Sequence, residues 1–570
     1  MSTATLTQTD ESAEPTRRTH PSAWIMSAVG AVLLAGSAFL SWSYDPDVLG
    51  NLTVYGYPGA VQILAIILGA LALVVVGLRT KPVVPWFNTT AALRTLGFGA
   101  VIFMVFVILG ITLESSGLIN VDPGGWVALV GALLMAAGGY LMPDLGHTDP
   151  LRAKAPDWVE ILIITGMMAG LLFTAAYALG IDDGGSFVAL LAFLGATVMG
   201  LVRGGFFQWL SVVSQRHRRV LMLGAIAVAF LFPFTQDGSD ANMSIATQVL
   251  IFATTALGLN IVVGLAGLLD LGYIAFLGAG AYVGAMLSGA ATATIGWSPP
   301  FLVVMLIGAA VSATLGLIIG SPTLRVSGDY LAIVTLAFGE IFRISVNNMD
   351  GKDGPDLTHG PNGIAGIPEL TIPFTDFSFG DTHQLFGFTV SRYANYYFLL
   401  LLLAAFVIMV FTRLNNSRIG RGWVAIREDE RAAEAMGVNV FGLKLLAFAG
   451  GASLAGLAGT IKAHQDLAVS PDQYVFLESA FLLAAVVLGG MGTVAGVLVG
   501  ATILKLLPEK LRFLSDYRLL MFGALLVLMM RFRPEGLVPS KRRQLEFHED
   551  DEHLAEAVQD EHIEQTEAKA

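Results

Sequence analysis

Long apolar runs, separated by shorter polar connections, follow one another along most of the chain. A helix needs about 20 apolar residues to cross the hydrocarbon core of a bilayer. Runs that predict such helices lie near residues 23–43, 59–78, 95–113, 125–142, 159–180, 187–203, 220–234, 244–262, 274–290, 300–320, 328–346, 396–412, 444–463 and 515–531. The pattern therefore predicts an all-α fold, a polytopic transmembrane helical bundle.

Two shorter apolar runs, 477–490 and 492–507, are joined by Gly489, Gly490 and Gly492. Each run is short for a full span, so we interpret the pair as a re-entrant or broken-helix hairpin. Glycine-rich interruptions expose backbone groups at membrane depth in transport folds. With this hairpin in place, Lys and Arg concentrate in alternate connections, which predicts that both termini are cytoplasmic.

Composition agrees with a membrane protein and excludes several kinds of site. Of the 570 residues, 55% are hydrophobic and only 13% are charged, which is far from the composition of a soluble domain. The absence of cysteine excludes disulfides, thiolate metal sites and thiol nucleophiles. We therefore expect the protein to lie in the lipid bilayer and to bind no nucleic acid.

Charge and polarity divide the chain into four parts. Residues 1–20 form a polar N-terminal tail, and residues 541–570 are predicted to be an acidic, disordered tail. Residues 546–570 alone contribute −9 to the net charge of −12. The basic run QRHRR predicts a boundary between a six-helix membrane extension, 21–215, and a core, 216–540.

A charged insert, residues 413–444, separates two long apolar runs of the core. Arginines alternate there with acidic residues, and a tryptophan and an isoleucine make the first turns partly apolar. Gly420 and Gly422 are predicted to precede a helix that Gly437 ends. Two interpretations remain open: a solvated loop, which is usual for a charge run, or a docking helix for a soluble partner in the cytoplasm.

Four polar residues in or next to predicted spans are candidates for a pathway or for intramembrane polar contacts: Asn260, Asp270, Glu340 and Arg343. The glycine-rich run around Asp270 fits either close helix packing or a broken helix with Asp270 at the break. Glu340 and Arg343 are three residues apart on one helix face and are predicted to pair. That pair fits either a structural ion pair or a substrate contact.

The long connection 347–395 is predicted to lie on the outer side, without obvious regular structure. Loops of this length are often functional. It fits either a platform for a solute-delivering protein or a packed lid.

Catalytic motifs are missing from the sequence. No HExxH or GxSxG pattern occurs, and Gly351-Lys352 is followed by Asp353, so no Walker A loop is present. We expect a protein that is not an enzyme and binds no metal or cofactor, with any ATP chemistry in another polypeptide. A self-sufficient, ion-coupled secondary transporter is the competing class, and Asp270 and Glu340 are the carboxylates it would use.

Six collinear blocks carry a resemblance to a known family: LGLNIVVGLAGLLDLGYIAFLGAGAYVGAML, RVSGDYLAIVTLAFGEIFRI, THGPNGIAGIP, SRIGRGWVAIREDERAAEAMGVNVFGLKLLAFAGGASLAGLAG, VVLGGMGTVAGVLVGA and RPEGLVPS. Together they cover about residues 220–540 and resemble the permease subunits of branched-chain amino-acid ABC importers, of the LivM type. The resemblance implies an importer permease core of type II, with about six extra N-terminal helices, in a bacterial cytoplasmic membrane.

The same resemblance implies partners and a coupling site. The partners would be ABC ATPase subunits that use the ATP, a second homologous permease and an extracytoplasmic solute-binding protein. The family's cytoplasmic coupling helix corresponds to residues 420–437, which implies that the residues coupling the permease to the ATPase are Gly420, Trp423, Ile426, Arg427, Glu430, Glu434 and Gly437.

Two features depart from the family pattern. The spans before Arg203 are additional, and the resemblance does not cover their role. Residues 269–273 read Leu-Asp-Leu-Gly-Tyr where the family commonly continues with a Ser-Leu-Gly-His-like sequence. Urea, short amides and other amino acids therefore remain alternative solutes beside the branched-chain amino acids.

Overall fold

The structure is a computed structural model. Eighteen α-helices and four short strands are formed by the residues that it describes. They are residues 20–538 without 21, 46, 50–51, 53–55, 81–83, 116, 145–147, 149, 291, 294, 324–328, 353, 372–376, 386, 513–516, 518–519, 521–522, 525–526, 529–530 and 532–535. The predicted acidic tail, nearly all of the polar N-terminal tail and much of the predicted span 515–531 lie outside them.

The described residues up to Thr235 form one compact unit. Its helices are α1 (Ala23–Ser37), α2 (Ala60–Thr80), α3 (Thr89–Glu114), α4 (Pro123–Leu141), α5 (Asp157–Gly180), α6 (Gly184–Arg203), α7 (Phe206–Arg216) and α8 (Arg218–Leu231). Small residues let α1 and α4 pack backbone to backbone, because a Cβ added to Gly30 would lie 2.5 Å from the Met135 nitrogen.

The sequence prediction missed α7, whose residues were assigned to a basic connection. This helix buries Trp209, Leu210 and Val213 on one side and leaves its basic end exposed, so that no run of about 20 apolar residues marks it. The carboxylate of Glu160, at the start of α5, is fully buried and pairs with Arg216 Nη1 at 2.5 Å. His217 Nε2 lies 2.9 Å from the same carboxylate, which ties α5 to the junction of α7 and α8.

The described residues from Gln236 onward form the second compact unit, whereas the sequence prediction began the core at residue 216. Its helices are α9 (Asp240–Asn260), α10 (Ile274–Met286), α11 (Phe301–Thr323), α12 (Asp329–Asn347), α13 (Arg392–Asn415), α14 (Arg418–Glu428), α15 (Glu430–Ala435), α16 (Val440–Asp466), α17 (Phe476–Gly489) and α18 (Val494–Lys510). A π-helical turn, Ile261–Leu265, extends α9. The centre of this unit is α16, which packs against α9, α10, α11 and α13.

The long connection between α12 and α13 is partly ordered by short strands. Strand β1 (Ile364–Ala365) pairs antiparallel with β4 (Ala468–Val469), and β2 (His383–Leu385) pairs with β3 (Phe388–Val390). Glu369 accepts hydrogen bonds from Arg392 and from the Tyr396 hydroxyl, which fastens the connection to the start of α13. The expectation of a loop without regular structure was therefore too simple.

The described part of the chain contains twelve helices that are long and apolar enough to cross a membrane, so the predicted polytopic helical bundle is confirmed. Two apolar helices, α1 and α10, are shorter, and α1 ends at Ser37 rather than near residue 43. Helix α17 and the turn before it form one of the twelve candidates, which makes this half of the hairpin longer than predicted. Helices α17 and α18 pack on each other as a helical hairpin, and the re-entrant character of that hairpin stays a prediction.

Candidate functional site

The charged insert 413–444 folds into two short helices, α14 and α15, rather than one. Asp429 has an extended backbone, and its carboxylate accepts hydrogen bonds from the amides of Arg431 and Ala432 at 2.9 and 3.0 Å. An aspartate in this position caps the start of a helix, so α15 begins immediately after it. Gly437 follows α15 with a φ of +82°, which confirms the predicted helix end.

The predicted start of the insert helix was wrong. Helix α14 begins at Arg418, because the Ser417 hydroxyl accepts a hydrogen bond from the Gly420 amide at 3.2 Å and caps the helix there. Gly420 and Gly422 therefore lie inside α14. Gly420 permits a close approach, because a Cβ there would lie 2.2 Å from the carbonyl oxygen of Leu414.

One face of α14 is buried in its own chain. The Trp423 side chain is 1% exposed, and its indole nitrogen donates to the Leu443 carbonyl at 2.7 Å. Ile426 and Gly420 are also buried. These three residues anchor α14 in the second unit, so any part that they have in coupling, as the resemblance implies, would be indirect.

Arg427 joins this anchored helix to the π-helical turn after α9. Its Nη1 donates to the Gly264 carbonyl at 3.1 Å. Gly267 has a φ of +70°, and a Cβ there would lie 2.5 Å from Arg427 Cγ. The aliphatic part of the Arg427 side chain thus fills the space beside Gly267. A movement of α14 would therefore change the contact between Arg427 and the turn.

The opposite face of the insert is exposed and carries Glu430, Glu434 and Gly437. Glu430 also pairs with Lys444, with 2.6 Å between Oε2 and Nζ, and the lysine side chain is only 6% exposed. Met436, which is 85% exposed, is not among the residues predicted for coupling. Its place directly before the helix-ending Gly437 was the signal that could have revealed it.

Asn260 holds the π-helical turn against the loop between α17 and α18. Its fully buried amide accepts from the Gly492 nitrogen at 2.8 Å and donates to the Thr493 carbonyl at 3.3 Å. A Cβ at Gly264 would lie 2.0 Å from Asn260 Oδ1. Arg427 and Asn260 therefore fix the same turn from two directions, which links α14 to the glycine-rich hairpin.

Asp270 lies at a break between the π-helical turn and α10, as one of the two interpretations proposed. It is 1% exposed, and its Oδ1 accepts from the Gly272 amide at 2.9 Å. Close packing, the other interpretation, holds as well, because a Cβ at Gly280 would lie 2.2 Å from the Gly456 carbonyl oxygen.

Glu340 and Arg343 form the ion pair that their spacing predicted. Arg343 Nε lies 2.9 Å from Glu340 Oε2, and the two side chains are 30% and 34% exposed. Charged groups at membrane depth usually pair with one another, and this ion pair fits that rule. This pair lies on α12, so the structure does not bring it into the contacts that join Arg427 and Asn260.

Comparisons with known proteins identify the family of the chain. Residues 242–530 match a family model described as the permease component of branched-chain amino acid transport systems. The chain is 40% identical over 344 residues to the high-affinity branched-chain amino acid transport permease LivM of Salmonella typhimurium, covering 59% of this chain and 78% of the relative. The LivM of Escherichia coli is 39% identical over the same shares.

A more distant relative is the probable LivM permease of Methanocaldococcus jannaschii, which is 26% identical over 259 residues, or 42% of this chain and 69% of the relative. No solved structure matches the chain. The family match includes the π-helical turn, the charged insert and the glycine-rich hairpin. The chain is therefore a member of the family of permease components of branched-chain amino acid transport systems, and a multi-pass membrane protein.

Proposed function

We propose that this chain is the permease subunit of an ABC importer that moves branched-chain amino acids across a bacterial cytoplasmic membrane. The observation that carries the proposal is the α14–α15 element, which is anchored on one face and exposed and charged on the other. The names of the LivM relatives support the choice of solute.

In this proposal the exposed face of α14–α15 receives an ATPase subunit in the cytoplasm, where ATP is bound and hydrolysed. Movement of α14 then reaches the π-helical turn through Arg427, and reaches the α17–α18 hairpin through Asn260. Contiguous packed and hydrogen-bonded groups are a physical route for such coupling. The permease supplies no catalytic group and no cofactor, and converts closure of the ATPases into displacement of helices.

The remaining parts of the importer follow from the same proposal. A second, homologous permease completes the pathway, and an extracytoplasmic solute-binding protein delivers the amino acid. In this proposal both termini are cytoplasmic and the partly ordered connection between α12 and α13 lies on the outer side, as the bias of Lys and Arg in the connections predicts. Crosslinking of the binding protein to that connection would test the orientation.

The docking surface can be tested by charge reversal. Reversal of Glu430 would also strip Lys444 of its partner and leave a buried charge unpaired, which confounds the result. Glu434→Arg combined with Met436→Glu avoids this, because both residues are exposed. We expect the double variant to lose ATPase subunits on co-purification.

The matched control is Asp182→Arg, which reverses an exposed carboxylate far along the chain, between α5 and α6. It should retain the ATPase subunits, as the unchanged protein does. Full retention by the double variant, with normal leucine-stimulated ATP hydrolysis in proteoliposomes, would contradict docking at this surface.

An ion-coupled secondary transporter is the second candidate, and one observation favours it. Asp270 is a buried carboxyl whose Oδ2 accepts no hydrogen bond from the described residues. The purified chain alone, in liposomes under a proton gradient, distinguishes the two classes. Accumulation of leucine without ATPase subunits would support the secondary transporter, and a competition panel with urea, short amides and other amino acids would test the alternative solutes.

A further inference from the structure

A cavity of about 270 Å³ lies among α9, α10, α16, α17 and α18, away from the α14–α15 element. Two ion pairs line it. Lys505 Nζ lies 2.8 Å from Glu478 Oε2, and Lys462 pairs with Asp466 one helical turn along α16. The four side chains are between 19% and 29% exposed, so each of them retains contact with the open space.

The rest of the wall is mainly apolar. Ile251 and Phe252 on α9 face Ile274 and Leu277 on α10, and all four are buried. Lys505 Nζ lies 4.6 Å from the centre of the Phe252 ring, so the charged part of the cavity adjoins the apolar part. An aliphatic side chain and a charged head group could therefore be accommodated side by side.

The two ion pairs do not use all the hydrogen-bond donors of the lysines or all the acceptors of the carboxylates. An ammonium has three donors and a carboxylate has several acceptor positions. Lys505 donates to Glu478, and Lys462 donates to Asp466 and, at 3.3 Å, to Gln473. Two cations and two anions also sum to zero formal charge, which favours a ligand that carries one charge of each sign over an anion or a cation.

We propose that this cavity is a binding site for a zwitterionic amino acid with an aliphatic side chain. The lysines, Lys462 and Lys505, bind the carboxylate, while Asp466 and Glu478 bind the ammonium. The side chain lies against the wall that includes Phe252. This inference rests on the proposed function and deepens it, because it names residues that recognise the solute within the membrane unit.

The size of the cavity agrees with a small solute. Pockets for drug-sized ligands occupy about 300–1,000 Å³, and this cavity falls just below that range. Recognition by paired charges would also discriminate against urea and short amides, because these carry neither an ammonium nor a carboxylate. The site therefore selects among the solutes that the family resemblance leaves open.

The first test uses photo-leucine, a leucine analogue with a diazirine in its side chain, on the assembled importer with its unaltered permease. We expect adducts on α9 and α10, near Phe252, Ile274 and Leu277, that excess L-leucine removes. Isopentylamine lacks the carboxylate and 4-methylpentanoate lacks the ammonium, so neither should compete. Adducts that fall only on other helices, or equal competition by the two analogues, would overturn the proposal.

The second test measures leucine uptake by proteoliposomes of the complete importer. Glu478→Gln and Lys505→Met should each raise the KM for leucine by about tenfold or more, as expected for loss of a charged hydrogen bond. Lys505→Arg, which keeps the charge, should recover part of the affinity. The matched control is Glu509→Gln on α18, whose carboxylate pairs with the 71%-exposed Arg512 outside the cavity lining.

A purely structural ion pair is distinguished by exchange of its partners. In the double variant Glu478→Lys, Lys505→Glu the pair is kept but its charges are exchanged, so we expect the KM to stay high. Recovery of the original KM would refute a role in binding. If the unaltered importer takes up no leucine, the proposed function fails; if it takes up leucine and the cavity variants match it, only the cavity assignment fails.

Discussion

The contact between Arg427 and the π-helical turn offers the most direct test of coupling. Arg427→Met keeps much of the aliphatic stem but removes the hydrogen bond from Nη1 to the Gly264 carbonyl, which measures 3.1 Å. The turn would still be held by Asn260, so the fold should persist. We expect the ATPase subunits to remain bound, since the exposed face of α14–α15 is unchanged.

The size of the effect follows from the contact. A hydrogen bond that involves a charged group contributes about 1.5–3 kcal/mol. The Arg427 side chain is 22% exposed and also pairs with Glu428, so we take the lower end of that range. About 1.4 kcal/mol corresponds to a tenfold change in an equilibrium. The number of leucine molecules imported per ATP hydrolysed should therefore fall by about tenfold.

The assay is simultaneous measurement of leucine uptake and phosphate release in proteoliposomes. Arg421→Met is the matched control, because it removes a second arginine from the same helix, an exposed one whose Nη1 lies 3.4 Å from the Asn416 carbonyl. It should leave the ratio of uptake to hydrolysis unchanged. An Arg427→Met importer with an unaltered ratio would refute the transmission route through the π-helical turn.

Two stability predictions come from other contacts. Gly280→Ala should lower the melting temperature of the purified permease by an amount equivalent to about 1–3 kcal/mol, because its Cβ would lie 2.2 Å from the Gly456 carbonyl oxygen. Gly450→Ala is the control, because nothing lies within 4 Å of its new Cβ. Equal melting temperatures for the two variants would contradict the packing argument. Glu160→Gln should lower the free energy of unfolding by about 1.5–3 kcal/mol, because charged hydrogen bonds are lost. The side chain of Asp157 is 82% exposed, so Asp157→Asn should melt as the unchanged protein does. A Glu160→Gln protein that melts with the control would show that this buried ion pair adds no stability.

The spans were predictable because a bilayer imposes one simple requirement, a run of about 20 apolar residues. That requirement does not mark α7, an eleven-residue helix with a basic end, nor the division of the insert at Asp429. Both depend on local capping and on one-sided burial. The pairing of Glu340 with Arg343 was predictable because their spacing places them on one helix face.

The cavity could not be predicted from the sequence. Its charged residues come from α16, α17 and α18, and its apolar wall comes from α9 and α10, which precede them by roughly 200 positions. Only the separation of Lys462 from Asp466 by one helical turn was a local signal. The resemblance implied one role for all seven candidate coupling residues. The burial of each side chain separates Trp423, which is held inside the unit, from Glu434, which faces solvent.

That separation of α14 and α15 into two faces has a practical consequence for engineering. Trp423 and Ile426 hold the element in place, while positions such as Arg431, Glu434 and Met436 are free of that task. In the proposed function, an exchange limited to the outward positions would direct the permease to the ATPase of another importer without disturbing its fold. The permease and the ATPase of such a chimaeric transporter would then be joined through an exchangeable surface.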